Sequence, residues 1–124
     1  MEGNMKVEFI ARVLDEAKEC IEKKDAMQAS EKLYKASEEA LKLLSAKFRL
    51  DEYEESKKKG RWTAPLLFSA VRKLSEKVNP DIVNCWDHAW FLHVEGFHEA
   101  RLSIEEVKFR LRFVEELVRI AGKS

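Results

Sequence analysis

Apolar residues recur at three- and four-residue steps along nearly the whole chain, the spacing of helices that each bury one stripe. Val7, Ile10, Leu14, Ala17 and Ile21 trace the first stripe, which closes at Lys23 and Lys24, basic residues suited to a helix C-terminus. Asp25 opens a second helix as its N-cap, with Gln28 placed to complete a capping box. Ala26, Ala29, Leu33, Ala36, Ala40, Leu43 and Leu44 form its inner face, and the alanines admit a neighbouring helix closely. The loop between the two is short enough to require an antiparallel hairpin. Periodicity breaks over Asp51 to Arg61 (DEYEESKKKGR), acidic first and basic after, which reads as a frayed helix end plus loop or a mobile surface excursion. Thr63 with Pro65 marks a third start, continued by Leu67, Ala70, Val71 and Leu74. Asn79 and Pro80 open a fourth helix, and Ser103 with Glu106 opens a fifth through a second capping box. That last helix is striped by Val107, Leu111, Val114, Val118 and Ala121 and widened by Phe113, Leu117 and Ile120, a face buried from two sides in a bundle or across a dimer interface. No segment reads as a strand. The expectation is an all-α up-and-down bundle of about five helices in one domain spanning residues 1–124.

Composition narrows the function classes. Apolar residues make up 45% of the 124 positions, enough for a packed core, while charged residues reach 37% against roughly 25% in ordinary soluble domains. The 23 basic and 23 acidic side chains cancel, so binding to nucleic acid or an anionic membrane requires a local patch. No apolar run approaches the roughly 20 residues that span a bilayer. The opening segment, Met1 to Glu8, is charged where a signal peptide needs a hydrophobic stretch, so a cytoplasmic location is expected. One glutamine (Gln28) and three asparagines (Asn4, Asn79, Asn84) beside so many charges follow the composition of thermophile proteins. Cys20 and Cys85 fall on different helices without CxxC spacing and read as buried free thiols, with an intracellular disulfide open to a thermophile.

Candidate chemistry gathers in Trp86 to Ser103 (WDHAWFLHVEGFHEARLS), which holds all three histidines and two of the three tryptophans. On an α-helix Trp86, Trp90, His93 and Phe97 share one stripe. His93 is then either a core histidine bonded to a carbonyl or carboxylate, or a polar group set in an apolar cleft. His98, five residues on, is rotated about 140° from it and sits in the last turn, where it caps the helix or pairs with Glu95 or Glu99. A metal set of His88, Glu95, Glu99 and His98 lacks the HxxxH spacing, so no metal and no cofactor is expected. There is no glycine-rich phosphate loop, no GxSxG elbow and no cysteine with a histidine partner. The run Lys57, Lys58, Lys59 and Arg61, followed by Trp62, has the composition to touch phosphates and stack on a base, although lysine runs in loops are usually only solvated.

Two stretches, DAMQASEKLYKASEEALKLLSAKF and AWFLHVEGFHEARLS, together about a third of the chain, resemble HEPN-type helical domains and in particular the archaeal PaREP-type proteins. The resemblance implies an HEPN-like helical bundle that works as a homodimer, here through the fourth and fifth helices. Many HEPN domains are metal-independent ribonucleases whose signature runs from an arginine, through a polar residue and a few more positions, to a histidine. His98 takes the histidine's place, while His93 stands where the arginine would be, and neither Arg72 nor Arg101 lies at the motif spacing. An arginine would clamp phosphate in a bidentate way that imidazole does not reproduce. The leading expectation is therefore a non-catalytic module that binds a partner protein or a nucleotide- or RNA-like ligand in a cleft lined by Trp86, Trp90, His93, Phe97, His98 and Arg101. The alternatives are a metal-independent endoribonuclease of toxin–antitoxin type using His98 and His93, and a purely structural dimeric scaffold.

Overall fold

The computed structural model describes residues 2–124, with side chains from Met5 onward; residue 1 of the charged opening segment lies outside the described residues. Six α-helices are present among the described residues: α1 (Glu2–Glu22), α2 (Ala26–Lys47), α3 (Asp51–Lys59), α4 (Ala64–Lys77), α5 (Asp81–Phe91) and α6 (Ile104–Lys123). Between α5 and α6, Leu92–His98 continues the helix in π form. No strand occurs among the described residues.

The N-caps act where the sequence places them, but the reciprocal half of the expected capping boxes does not form: the Glu106 carboxylate pairs with Arg110, and the Asp25 N–H bonds to Cys20 O. Asp25 Oδ1 accepts from the Gln28 backbone N–H at 3.1 Å, Thr63 Oγ1 from Leu66 at 3.4 Å and Ser103 Oγ from Glu106 at 3.2 Å. Each satisfies one of the N–H groups that a helix start leaves unbonded. Lys24, Arg49 and Ala100 close the turns after α1, α2 and the π segment with φ of 61°, 52° and 52°. Holding an L-residue in this left-handed region costs about 1 kcal/mol each.

The segment expected to be a loop or mobile excursion is helix α3. Its three acidic residues at the start and three lysines at the end complement the helix dipole, and Gly60, with φ 75°, stops it in the left-handed conformation. Burial fixes it in place: Leu50, Glu52 and Ser56 are buried. Glu52 accepts from Ser69 Oγ and pairs with Lys73 Nζ at 2.9 Å, both on α4. Burial raises the Glu52 pKa, but these two bonds outweigh it and hold the carboxyl below its ordinary value of 4.5.

Helix α2 packs against every other element, so its alanines and leucines lie at the centre of one continuous core. Ala29, Leu33, Ala36, Ala40, Leu41 and Leu44 are fully buried there, against Ile10 and Ala17 of α1 and Val107, Val114 and Leu117 of α6. Among the described residues, no helix is long and apolar enough to cross a membrane. Both cysteines are free, Cys85 buried and Cys20 half-buried. Burial, with Glu116 and Asp81 nearby, pushes the Cys85 thiol up to about 11. A thiol-reactive probe on the native protein is therefore expected to label Cys20 and to reach Cys85 only after denaturation, as mass spectrometry would read.

Candidate functional site

The π form of Leu92–His98 decides the geometry of the site. Its hydrogen bonds span five residues, as in Glu99 N–H to Val94 O at 2.9 Å. A wider turn brings residues five apart one above the other, where an α-helix would leave them rotated away. His98 therefore lies over His93, with Nε2 to Nε2 at 3.1 Å and the rings edge to face. The rotation of 140° expected from the sequence is corrected here, and with it the capping role: His98 pairs with His93 and not with Glu95 or Glu99. Single π turns inside α-helices are frequent at functional sites.

Helix α2 supplies the rest. Glu31 Oε1 sits 3.1 Å from His93 Nδ1. A carboxylate only accepts, so Nδ1 carries the proton and Nε2 of a neutral His93 is left as an acceptor toward His98. Tyr34, also on α2, stacks on the His93 ring at 4.0 Å between centroids, and burial, with Glu38 and Glu31 close by, raises its hydroxyl pKa well above 10.0. Trp90 and Phe97 flank His93 at 5.3 and 6.4 Å. Phe68 of α4 meets Trp90 edge-on at 5.0 Å and is 39% exposed, extending the aromatic wall to the surface. His98 is exposed and His93 half-buried, so the pair opens to solvent on the His98 side.

Two residues expected in the cleft lie elsewhere. Trp86 is fully buried beneath Tyr34 and Phe68, because the core-facing side of α5 claims the largest ring. Arg101 is exposed and bound to Glu95 at 2.6 Å, with Glu99 at 4.0 Å, so it is not directed at the histidines. The four residues weighed as a metal set are separated: Glu95 and Glu99 face Arg101, His98 faces His93, and His88 packs on α6. Glu31 and Tyr34 were not foreseen. Glu31 is one glutamate on a Lys/Glu face, and Tyr34, an aromatic within an Ala/Leu stripe, is the only local hint. Gly96, a glycine inside a helical run, signals close approach: a Cβ there would lie 2.1 Å from Ser30 Oγ on α2.

His88 belongs to a separate cluster. Arg110 Nη1 donates to its Nδ1 at 2.7 Å, and its ring stacks on Phe113 at 3.7 Å. Burial, then the Arg110 charge, lower its pKa below 6.5. The unfolded chain thus takes up a proton here before the folded one does, and stability falls as pH drops below 6.5 toward the folded value. Thermal melts from pH 7.5 to 5 are expected to show this decline, flattened in His88→Gln. An unaltered slope in that variant would remove His88 as the cause. Glu39 and Glu52, with pKa values below 4.5, contribute losses only at lower pH.

The model of the archaeal PaREP1/PaREP8 family matches residues 5–118. A crystal structure of a protein from Sulfolobus solfataricus is 42% identical, with 92% of this chain and 93% of that chain covered and a TM-score of 0.85. A solution structure of the same structural-genomics target, the Orf c02003 protein, is 43% identical over 92% of this chain and 88% of that one, with a TM-score of 0.80. No curated protein matches.

Proposed function

This chain belongs to the archaeal PaREP1/PaREP8 family, and from that premise we propose that it is a metal-independent endoribonuclease whose working groups are Glu31, His93 and His98. The observation that carries the reading is the 3.1 Å contact between the two Nε2 atoms, with Glu31 fixing the tautomer of His93. General acid–base catalysis needs one neutral and one protonated group within reach of the same phosphodiester. As the phosphodiester enters between the rings the Nε2–Nε2 contact opens, and His93 Nε2 takes the proton of the ribose 2′-hydroxyl as the 2′-oxygen attacks phosphorus. The bond from phosphorus to the 5′-oxygen breaks, and that oxygen takes a proton from protonated His98. The products are a 2′,3′-cyclic phosphate and a 5′-hydroxyl, leaving His93 protonated and His98 neutral. Passage of the proton from one Nε2 to the other restores the starting state.

The likeness to HEPN-type domains supports this reading at His98, which takes the place of the signature histidine; His93 departs from the signature arginine, and its role rests on the contact with His98 instead. A homodimer through α5 and α6 belongs to it as well, since Phe91 and Phe109 expose 37% and 48% of their surface on those helices. Incubation with single-stranded RNA in the presence of a chelator is the test. Cleavage yielding cyclic-phosphate ends, with DNA of the same sequence left intact for want of the 2′-hydroxyl, is the expected result. Intact RNA at high protein concentration overturns it. Exposed Phe68, edge-on to half-buried Trp90, favours a second reading, a binding module that stacks an unpaired base without cutting. Protection of RNA together with quenched tryptophan fluorescence, without products, would select it.

A further inference from the structure

Outside the histidine site, the C-terminal half of α2 faces a groove of about 880 Å³ shared with α1, α3 and the linker to α4. That size is in the range of small-molecule sites, roughly 300–1,000 Å³. Its charge is one-sided. Lys6, Lys35 and Lys42 converge on the buried carboxylate of Glu39 at 3.6, 3.5 and 3.2 Å. Burial raises the Glu39 pKa, but the three lysines outweigh it and hold the carboxylate ionised. Two carboxylates face three ammonium groups, since Glu38 also reaches Lys35 and Lys42 at 3.7 and 3.8 Å, so one positive charge stays unbalanced. Lys47, also lining the groove, donates to the carbonyl of Ala121 at 2.9 Å, a partner without charge. Arg12 adds a fifth cation to the lining. Cations held in place over low-dielectric walls focus a positive potential into the groove.

The walls are as specific as the charge. Phe9, Tyr53 and Trp62 bring three rings to the same groove. Trp62 is the member of the basic-aromatic run that lines it; Lys58 and Lys59 stay on the exposed end of α3, and Lys57 places its ammonium 4.5 Å over one face of the Tyr53 ring, leaving the other face for a base. Compact ammonium groups suit phosphate oxygens, and flat rings suit a planar heterocycle.

From this juxtaposition we propose that the groove between α1, α2 and α3 binds a nucleoside phosphate, its phosphate on Lys6, Lys35 and Lys42 and its base against Trp62 and Tyr53. The site is separate from the histidine pair and stands whether or not RNA is cleaved there. Isothermal titration of the full chain with AMP, adenosine and inorganic phosphate tests it. AMP is expected to bind at least about tenfold more tightly than either fragment, because the linked groups share one ordering cost. The double substitution Lys6→Gln with Lys35→Gln is expected to weaken AMP about tenfold, and His98→Ala to leave it unchanged. Tyr53→Leu and Trp62→Leu, with folding checked by circular dichroism, are each expected to weaken AMP and not inorganic phosphate. Equal affinity for AMP and inorganic phosphate would reduce the groove to a non-specific cationic patch and overturn the assignment. So would AMP binding lost in His98→Ala and retained in the lysine variant, which would place the nucleotide at the histidine pair.

Discussion

Alanine in place of His98 is expected to slow RNA cleavage by about 10²- to 10⁴-fold, the usual contribution of one positioned proton donor. The ring is exposed and touches only His93 and Phe97 at the surface, so the melting temperature should fall by no more than a few degrees. His93→Ala should cost a similar factor, and the double variant little more than either single one, because groups that work as a unit lose their effect together. Glu31→Gln should show a smaller loss, since an amide can still hold the Nδ1 proton of His93 without supporting the positive charge that develops on the ring. Full cleavage by His98→Ala would trace the activity to a contaminant. An additive double variant would show that the two imidazoles do not act through their contact.

The second large effect is expected at Gly96. An added Cβ would meet Ser30 Oγ at 2.1 Å and Ser30 Cβ at 2.5 Å, so Gly96→Ala forces the π segment off α2. Overpacking of this kind costs about 2 kcal/mol, a fall of roughly 8 °C in the melting temperature of a domain this size. Ser30→Gly removes both clashing atoms at a helix cost of about 1 kcal/mol. The pair of substitutions should therefore be more stable than the sum of the two singles predicts, by about 1 kcal/mol or more. Simple additivity in denaturant melts would contradict the close approach. Because Gly96 lies between His93 and His98, the same substitution should also depress any activity of the pair.

Much of the fold was legible because helices announce themselves locally. Asp25, Thr63 and Ser103 cap where their side chains predict, and the stripes of α1, α2, α4 and α6 are buried as their spacing requires. Helix α3 was misread because nearly all its residues are polar and it shows no apolar stripe. Its signal lay in the order of charges and in Gly60, and its stability in the long-range pairing of Glu52 with Lys73 and Ser69, which no local pattern carries. The candidate site was legible as a cluster of rare residues but not as a geometry. Trp86 and Trp90 stand one turn apart on the same stripe and both meet Phe68 of α4, yet one is sealed in the core and the other is half-buried, a difference the stripe itself does not carry. Glu31 and Tyr34 come from some sixty residues away, and only tertiary packing delivers them.

Motif spacings are usually written as residue counts, and the π turn shows what such a count leaves out. A π turn is what an α-helix becomes when it accommodates one inserted residue. The HxxxxH of this chain is thus the spatial equivalent of HxxxH on an unbroken α-helix. A relative that had lost one residue between the histidines could present the same two rings from an ordinary turn, and an alignment would score the shared site as a gap. Descent and chemistry would then be better traced through the distance between the rings than through the number of letters separating them.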